Sequence, residues 1–250
     1  MKIRRLHRWD VLPAEAARIQ QSLQRRLALG EYLGTIETVA GMDVSYDRHS
    51  PVVYAAVVVM RLGDRQVVET ATAVSQATFP YVPGLLSFRE SPAVLRALQR
   101  LRHRPDCLLC DGHGIAHPRR FGLACHLGLL LNLPSIGCAK SLLVGEYREP
   151  ARKRGSFKIL YDKGEQIGII LRTRDGVEPV YVSPGYRLTL KQAQEIVLRA
   201  HGGYRLPEPT RQAHLLVNAI RRSPPRSVVV SPRRGKGALR EFAKKMHLGT

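Results

Sequence analysis

The period of the hydrophobic pattern changes several times along the chain, and each change predicts an element. Ala16, Ile19, Leu23 and Leu27 recur at helical spacing over Pro13 to Leu29, with Asp10 ahead as a cap and Gly30 as a stop. Three strand-like runs follow: Thr35 to Val44, the valine-rich Pro51 to Leu62, and Gln66 to Ala77, where apolar and polar residues alternate. The short links between them predict an antiparallel meander. Phe79 to Glu90 is irregular, its shape fixed by two prolines and a glycine and its tyrosine exposed. Ser91 and Pro92 read as the cap and first turn of a helix with Val94, Leu95, Leu98 and Leu101 on its apolar face. A buried strand over 106–110, a glycine-containing turn, a helix over 118–131 and a short strand over 134–138 then predict two parallel strands joined through a helix. Arg148 to Lys158 reads as a basic loop, Gln166 to Arg172 and Val180 to Val182 as strands, and Thr189 to Ala200 and Thr210 to Arg221 as helices.

The chain has 250 residues, enough for one large domain with an appendage. We expect a body over 1–222 and a basic tail over 223–250, because residues 221–250 hold nine Lys or Arg and one acid. No run of about 18 apolar residues exists, so no membrane span is expected. The basic N-terminus lacks an apolar stretch, so no secretory signal is expected. Forty Lys and Arg against twenty Asp and Glu give a net charge of +20, which favours a polyanionic partner, nucleic acid before anionic membrane. A generally basic proteome gives the same balance. Aromatic residues are 6 % of the chain, so no platform for stacked single strands is evident. Cys107, Cys110, Cys125 and Cys138 include one C-x-x-C without the second pair of a zinc ribbon. Leu108 and Leu109 between the first two argue for buried thiols and a reducing cytoplasm.

The turn L-L-C-D-G-H-G-I-A-H-P-R-R-F-G brings Asp111 to the end of a strand, then glycines, then His117. Open sheets present chemistry at that edge; an ordinary strand–turn–helix link with a capping Asp fits too. Asp43 ends the first strand and Glu90 precedes a helix. If the first and fourth strands are neighbours, Asp43 and Asp111 converge and Glu90 closes the cluster. Clustered carboxylates need a cation between them, and oxygen-only ligands point to Mg²⁺ or Mn²⁺. Beside a basic surface this is equipment for phosphodiester hydrolysis. Three unrelated surface acids is the plainer alternative. His117 is a candidate for contacting a phosphate or second metal, or a helix cap. Lys140, at the end of the fifth strand, is a candidate for orienting water or neutralising charge, or a solvated strand end. Tyr81, between Pro80 and Pro83, is a stiff wedge for displacing a base, or part of a packed loop. Gly84 and Gly112 would let backbone approach that base; His214 fits packing alone.

G-M-D-V-S-Y, P-Y-V-P-G-L-L-S-F-R-E, the Asp111 turn with its flanks, P-S-I-G-C-A-K and Y-V-S-P-G-Y-R follow one another in order. Together, over roughly residues 10 to 220, the chain resembles the endonuclease V family, the deoxyinosine-directed repair nucleases. The resemblance implies an α/β, ribonuclease-H-like mixed sheet whose first three strands are antiparallel, with flanking helices. It implies Mg²⁺-dependent cleavage of the second phosphodiester 3′ to a deaminated base in DNA, leaving 3′-hydroxyl and 5′-phosphate. By match of position it makes Asp43, Glu90 and Asp111 metal ligands, and His117 and Lys140 further active-site residues. Pro80, Tyr81, Val82 and Pro83 match the strand-separating wedge, and Gly84, Leu86 and Gly112 the lesion pocket. Arg89 and His214 match positions near the site. Tyr186 departs from the histidine usual after S-P-G, which puts a role there in doubt. A cytoplasmic monomer without membrane association is expected. An endoribonuclease for inosine-containing RNA and a non-catalytic basic binder of nucleic acid are the alternatives.

Overall fold

A computed structural model describes residues 1–46 and 50–223. The predicted meander forms: β1 (Thr38–Tyr46), β2 (Val52–Arg61) and β3 (Val67–Gln76) pair antiparallel. On the free side of β1 lies β4 (Cys107–Cys110), parallel to β1, and beside it β5 (Ser135–Ala139), parallel to β4 as the pattern indicated. β6 (Phe157–Asp162), β7 (Glu165–Leu171) and β8 (Val180–Tyr186) are antiparallel and extend the sheet. The eight strands run in the order β3-β2-β1-β4-β5-β8-β7-β6. This is the mixed α/β sheet with flanking helices that was expected.

Strand alternation sorts the core onto two faces. Ala40, Met42, Leu108 and Cys110 pack under α2 (Leu86–Gln99) and α3 (Leu123–Leu131). Val39, Cys107, Leu109, Ile136 and Cys138 point the other way, under α4 (Leu190–Arg199). α5 (Glu208–Arg222) covers Tyr54 and Ala56 on that second face through Val217. It lies so close that a side chain at Gly41 would collide with the backbone of Pro209 and Thr210. α1 (Pro13–Gln24) seals one end against Phe79, Leu85 and Phe88. Fully buried leucines such as Leu98, Leu108 and Leu127 each contribute roughly 1.5–3 kcal/mol. All four cysteines are buried and free, as their apolar setting implied.

Several boundaries differ from the expected ones. α2 starts at Leu86, not Ser91, because burying Leu85 and Phe88 outweighs the loss of one hydrogen bond at Pro92, which sits inside the helix. Ser91 is therefore no cap; its hydroxyl is buried without a partner. The helix expected from Pro118 starts at Leu123, because Arg120 takes a left-handed φ of 52° and breaks the turn. α1 stops at Gln24, short of Leu29. The basic loop ends early, where Phe157 opens β6, and β8 runs on to Tyr186. Thr210 is buried within the first turn of α5 rather than opening it. Among the described residues no helix is long and apolar enough to cross a membrane. The basic tail expected over 223–250 lies outside the described residues, Ser223 apart.

Candidate active site

Register brings the two aspartates together. Met42 pairs with Cys110 as the last rung of the parallel β1–β4 ladder, so Asp43 and Asp111 are the next residues on neighbouring strands, about 5 Å apart in backbone. Both lie in phase with residues facing α4 and α5, namely Val39 and Gly41 on one strand and Cys107 and Leu109 on the other. Asp43 is not itself a strand end, because β1 continues to Tyr46 along β2. Only its pairing with β4 stops there, and this opens the edge at which the carboxylates sit.

Glu90 arrives from the opposite face, in the second turn of α2 rather than ahead of a helix. It is buried, and burial together with the Asp43 and Asp111 charges pushes its carboxyl up to about 8. Burial also raises Asp111, with Lys140 opposing and Asp43 adding. Lys140 follows β5 and places Nζ 2.5 Å from Asp111 Oδ2. His214 reaches across from α5 and bonds Asp43 Oδ2 through Nδ1 at 2.7 Å. Val44 N–H donates to the other Asp43 oxygen at 2.9 Å. Arg89 donates to Phe79 O at 2.8 Å and lies over the Tyr46 ring, beside Glu90.

These groups suit a hard divalent cation by donor chemistry and by charge. The donors are all oxygen, and Glu90, raised by burial first and by the Asp43 and Asp111 charges next, is a group whose ionised form a cation would favour. Among the described residues no three His, Cys, Asp or Glu side chains already form a cage. Lys140 and His214 hold one aspartate each instead.

Next to the acids opens a cavity of about 310 Å³. Tyr81, Val82, Pro83, Gly84 and Leu86 form one side, and Asp111, Gly112 and Lys140 another. Tyr81 is 63 % exposed at its rim, and Gly84 has a φ of +74°, which a side chain would strain. At Gly112 an added Cβ would stand 3.3 Å from Leu123, so a larger residue would intrude on the wall. His117 lines this cavity and is not among the carboxylates. It is 3 % exposed, donates from Nε2 to Gly84 O at 2.8 Å, and burial brings it down to about 4. Tyr186 is a core residue packed with Phe121 and Leu129, its hydroxyl donating to Asn132.

Three contributors escaped the sequence reading. Arg205 bonds the Lys140 carbonyl at 2.6 Å and steadies that loop. Gln20 and Arg119 bond the Gly84 carbonyl. Gln20 carried a visible signal: it interrupts the buried stripe of Ala16 and Leu23 on α1. Arg205 carried none.

The model of the family described as Endonuclease V matches residues 21–215. Endonuclease V of Methanothrix thermoacetophila is 51 % identical over 216 residues, covering 86 % of this chain and 95 % of its own. The crystal structure of endonuclease V from Streptomyces avermitilis has a TM-score of 0.82 at 44 % identity, covering 86 % of this chain and 95 % of that one. A crystal structure of Ciona intestinalis endonuclease V, in complex with a 24mer DNA containing an inosine followed by a ribo-adenosine, has a TM-score of 0.73 at 26 % identity. That comparison covers 84 % of this chain and 97 % of the other.

Proposed function

Since this chain belongs to the endonuclease V family, and is a nuclease, we propose that it recognises deaminated bases in DNA, deoxyinosine first, and hydrolyses the second phosphodiester 3′ to them. The products are a 3′-hydroxyl and a 5′-phosphate. The observation that carries this reading is the meeting of Asp43, Asp111 and Glu90 at one sheet edge beside a cavity rimmed by an exposed tyrosine. Mg²⁺, with Mn²⁺ as a substitute, would be held by Asp43, Glu90 and Asp111, and when bound it supplies Lewis-acid polarisation of the phosphodiester.

The remaining work falls to the chain itself. The Lys140 ammonium, paired with Asp111, faces the scissile phosphate and neutralises charge that builds there. His214 orients Asp43 from behind. Pro80 and Pro83 stiffen the loop that inserts Tyr81 beside the displaced base. The cavity bounded by Gly84, Leu86 and Gly112 receives that base, with His117 and Arg89 holding its walls. Hypoxanthine pairs weakly, so extruding it costs less than extruding a normal base. The net charge of +20 supplies phosphate affinity, and the protein acts as a monomer. Mapping the cut on a duplex with one inosine, with Mg²⁺ and with chelator, tests the reading. A cut elsewhere, or one that survives chelation, refutes it.

The ribo-adenosine that follows inosine in the Ciona complex favours a second reading, cleavage of inosine-containing RNA. Equal-salt comparison of inosine in duplex DNA and in single-stranded RNA decides which strand is preferred.

A further inference from the structure

The carbonyl oxygen of Gly84, at the wall of the cavity, receives three donors. His117 Nε2 stands 2.8 Å from it, Arg119 Nη2 2.6 Å and Gln20 Nε2 3.1 Å. A carbonyl offers two lone pairs, so three donors saturate it. The donors are themselves held. Arg119 Nε donates to Gln20 Oε1 at 2.6 Å, and Gln20 Nε2 also reaches Phe121 O at 3.1 Å. The Arg119 backbone N–H donates to His117 Nδ1 at 3.1 Å, which leaves the imidazole proton on Nε2, pointing at Gly84.

This network ties α1 to the cavity wall. Gln20 is 1 % exposed, belongs to a helix that supplies nothing to the carboxylate cluster, and lies just outside the family-matched residues 21–215. An added Cβ at Gly84 would stand 3.0 Å from Arg119 Nη2. Buried polar networks are favourable only when their members are paired, and here glutamine, imidazole and guanidinium all converge on one oxygen.

We propose that Gln20 and Arg119 are specificity-determining positioning residues: by saturating the Gly84 carbonyl they leave this wall without an acceptor for an exocyclic amino group. The inference rests on the reading of the cavity as the deaminated-base pocket. Deamination of adenine replaces an amino donor with a carbonyl acceptor. An amino-bearing base set against a saturated oxygen keeps its N–H unpaired and is rejected. Hypoxanthine has no such group to satisfy. His117 fills one lone pair by itself, so removing Gln20 and Arg119 together returns the other to the wall and weakens that rejection.

The test compares inosine and adenosine at one position of a single-stranded oligonucleotide, which removes the pairing contribution. Cleavage with Mg²⁺ is measured for the wild type, Gln20→Met, Arg119→Met, Gln20→Met/Arg119→Met and Gln20→Met/Arg119→Lys, together with binding in chelator by fluorescence anisotropy. Preference for inosine should hold in each single Met variant, where two donors remain, and fall about tenfold in Gln20→Met/Arg119→Met, in cleavage and in binding, with KM carrying more of the loss than kcat. Gln20→Met/Arg119→Lys, which keeps a second donor beside His117, should recover most of the preference. Unchanged preference in Gln20→Met/Arg119→Met, or equal losses on both bases carried by kcat, overturns the proposal. If Gln20→Met/Arg119→Met fails to fold, Gln20→Leu/Arg119→Leu replaces it with the same expected loss. A wild type without preference for inosine overturns the pocket reading itself, and the inference with it.

Discussion

His214 and Asp43 are 171 residues apart in the chain and 2.7 Å apart across a hydrogen bond. The contact exists because α5 lies directly on Gly41, one β-period before Asp43, where any side chain would strike the helix backbone. An imidazole bonded to a candidate metal carboxylate fixes its orientation, and loss of such a partner commonly costs ten- to a hundredfold in metal affinity. His214→Ala should therefore raise the Mg²⁺ concentration for half-maximal cleavage by roughly ten- to a hundredfold. A metal titration of the cleavage rate reads this directly, and an unchanged midpoint would return His214 to the packing role that also fits its position.

Lys140 should separate chemistry from binding. Its ammonium is tied to Asp111 at the carboxylate edge, whereas the base cavity has many other walls. Lys140→Ala should lower single-turnover cleavage by roughly a hundred- to a thousandfold. Binding of an inosine duplex should weaken only by about the loss of one phosphate contact. Matching losses in the two measurements would place the lysine in binding alone.

Tyr81 should matter to discrimination. It is the large exposed side chain on the cavity rim, between two prolines that stiffen its loop. Aromatic contact with a base is worth roughly 1–3 kcal/mol, so Tyr81→Ala should reduce the preference for inosine over normal duplex about tenfold. The Mg²⁺ midpoint should not move. Intact discrimination would remove the wedge role.

Much of this site was legible because it is built from strand phase and order. The meander and the parallel pair follow from period-2 runs and short links, and once β1 and β4 are neighbours the positions of Asp43 and Asp111 are forced. Glu90 was harder. Pro92 reads locally as a helix start, yet the burial of Leu85 and Phe88 extends α2 backwards and lifts Glu90 into its second turn. The partners that hold the site come from long-range packing, which no local pattern encodes. His214 and Arg205 belong to this class, and so does the Gly84 network. Tyr186 shows the reverse case: the resemblance made it a departure, and here it serves the core beside Asn132.

The buried, neutral imidazole of His117 predicts an acid weakness. Its Nε2 donates to Gly84 while Nδ1 accepts from the Arg119 backbone, so a second proton would put a donor against a donor in a buried pocket. Burial lowers it from 6.5 to about 4. The folded state thus binds this proton less readily than the unfolded chain. The stability linked to it is complete above pH 6.5 and is lost as pH falls toward 4, in total about 3 kcal/mol. Glu90 acts in the opposite sense: its carboxyl is raised from 4.5 to about 8, so its unfavourable ionisation is relieved as pH falls through that range. The slope of the wild type mixes these with other shifted groups, the buried His113 and His126 among them. The difference between wild type and His117→Gln isolates the first, because Glu90 is common to both. In chelator, the stability gap measured by urea unfolding should shrink by about 3 kcal/mol between pH 7 and pH 4. A gap that stays constant across that interval would mean that the imidazole titrates alike in the folded and unfolded chain, and that its bonds to Gly84 and Arg119 do not depend on its being neutral.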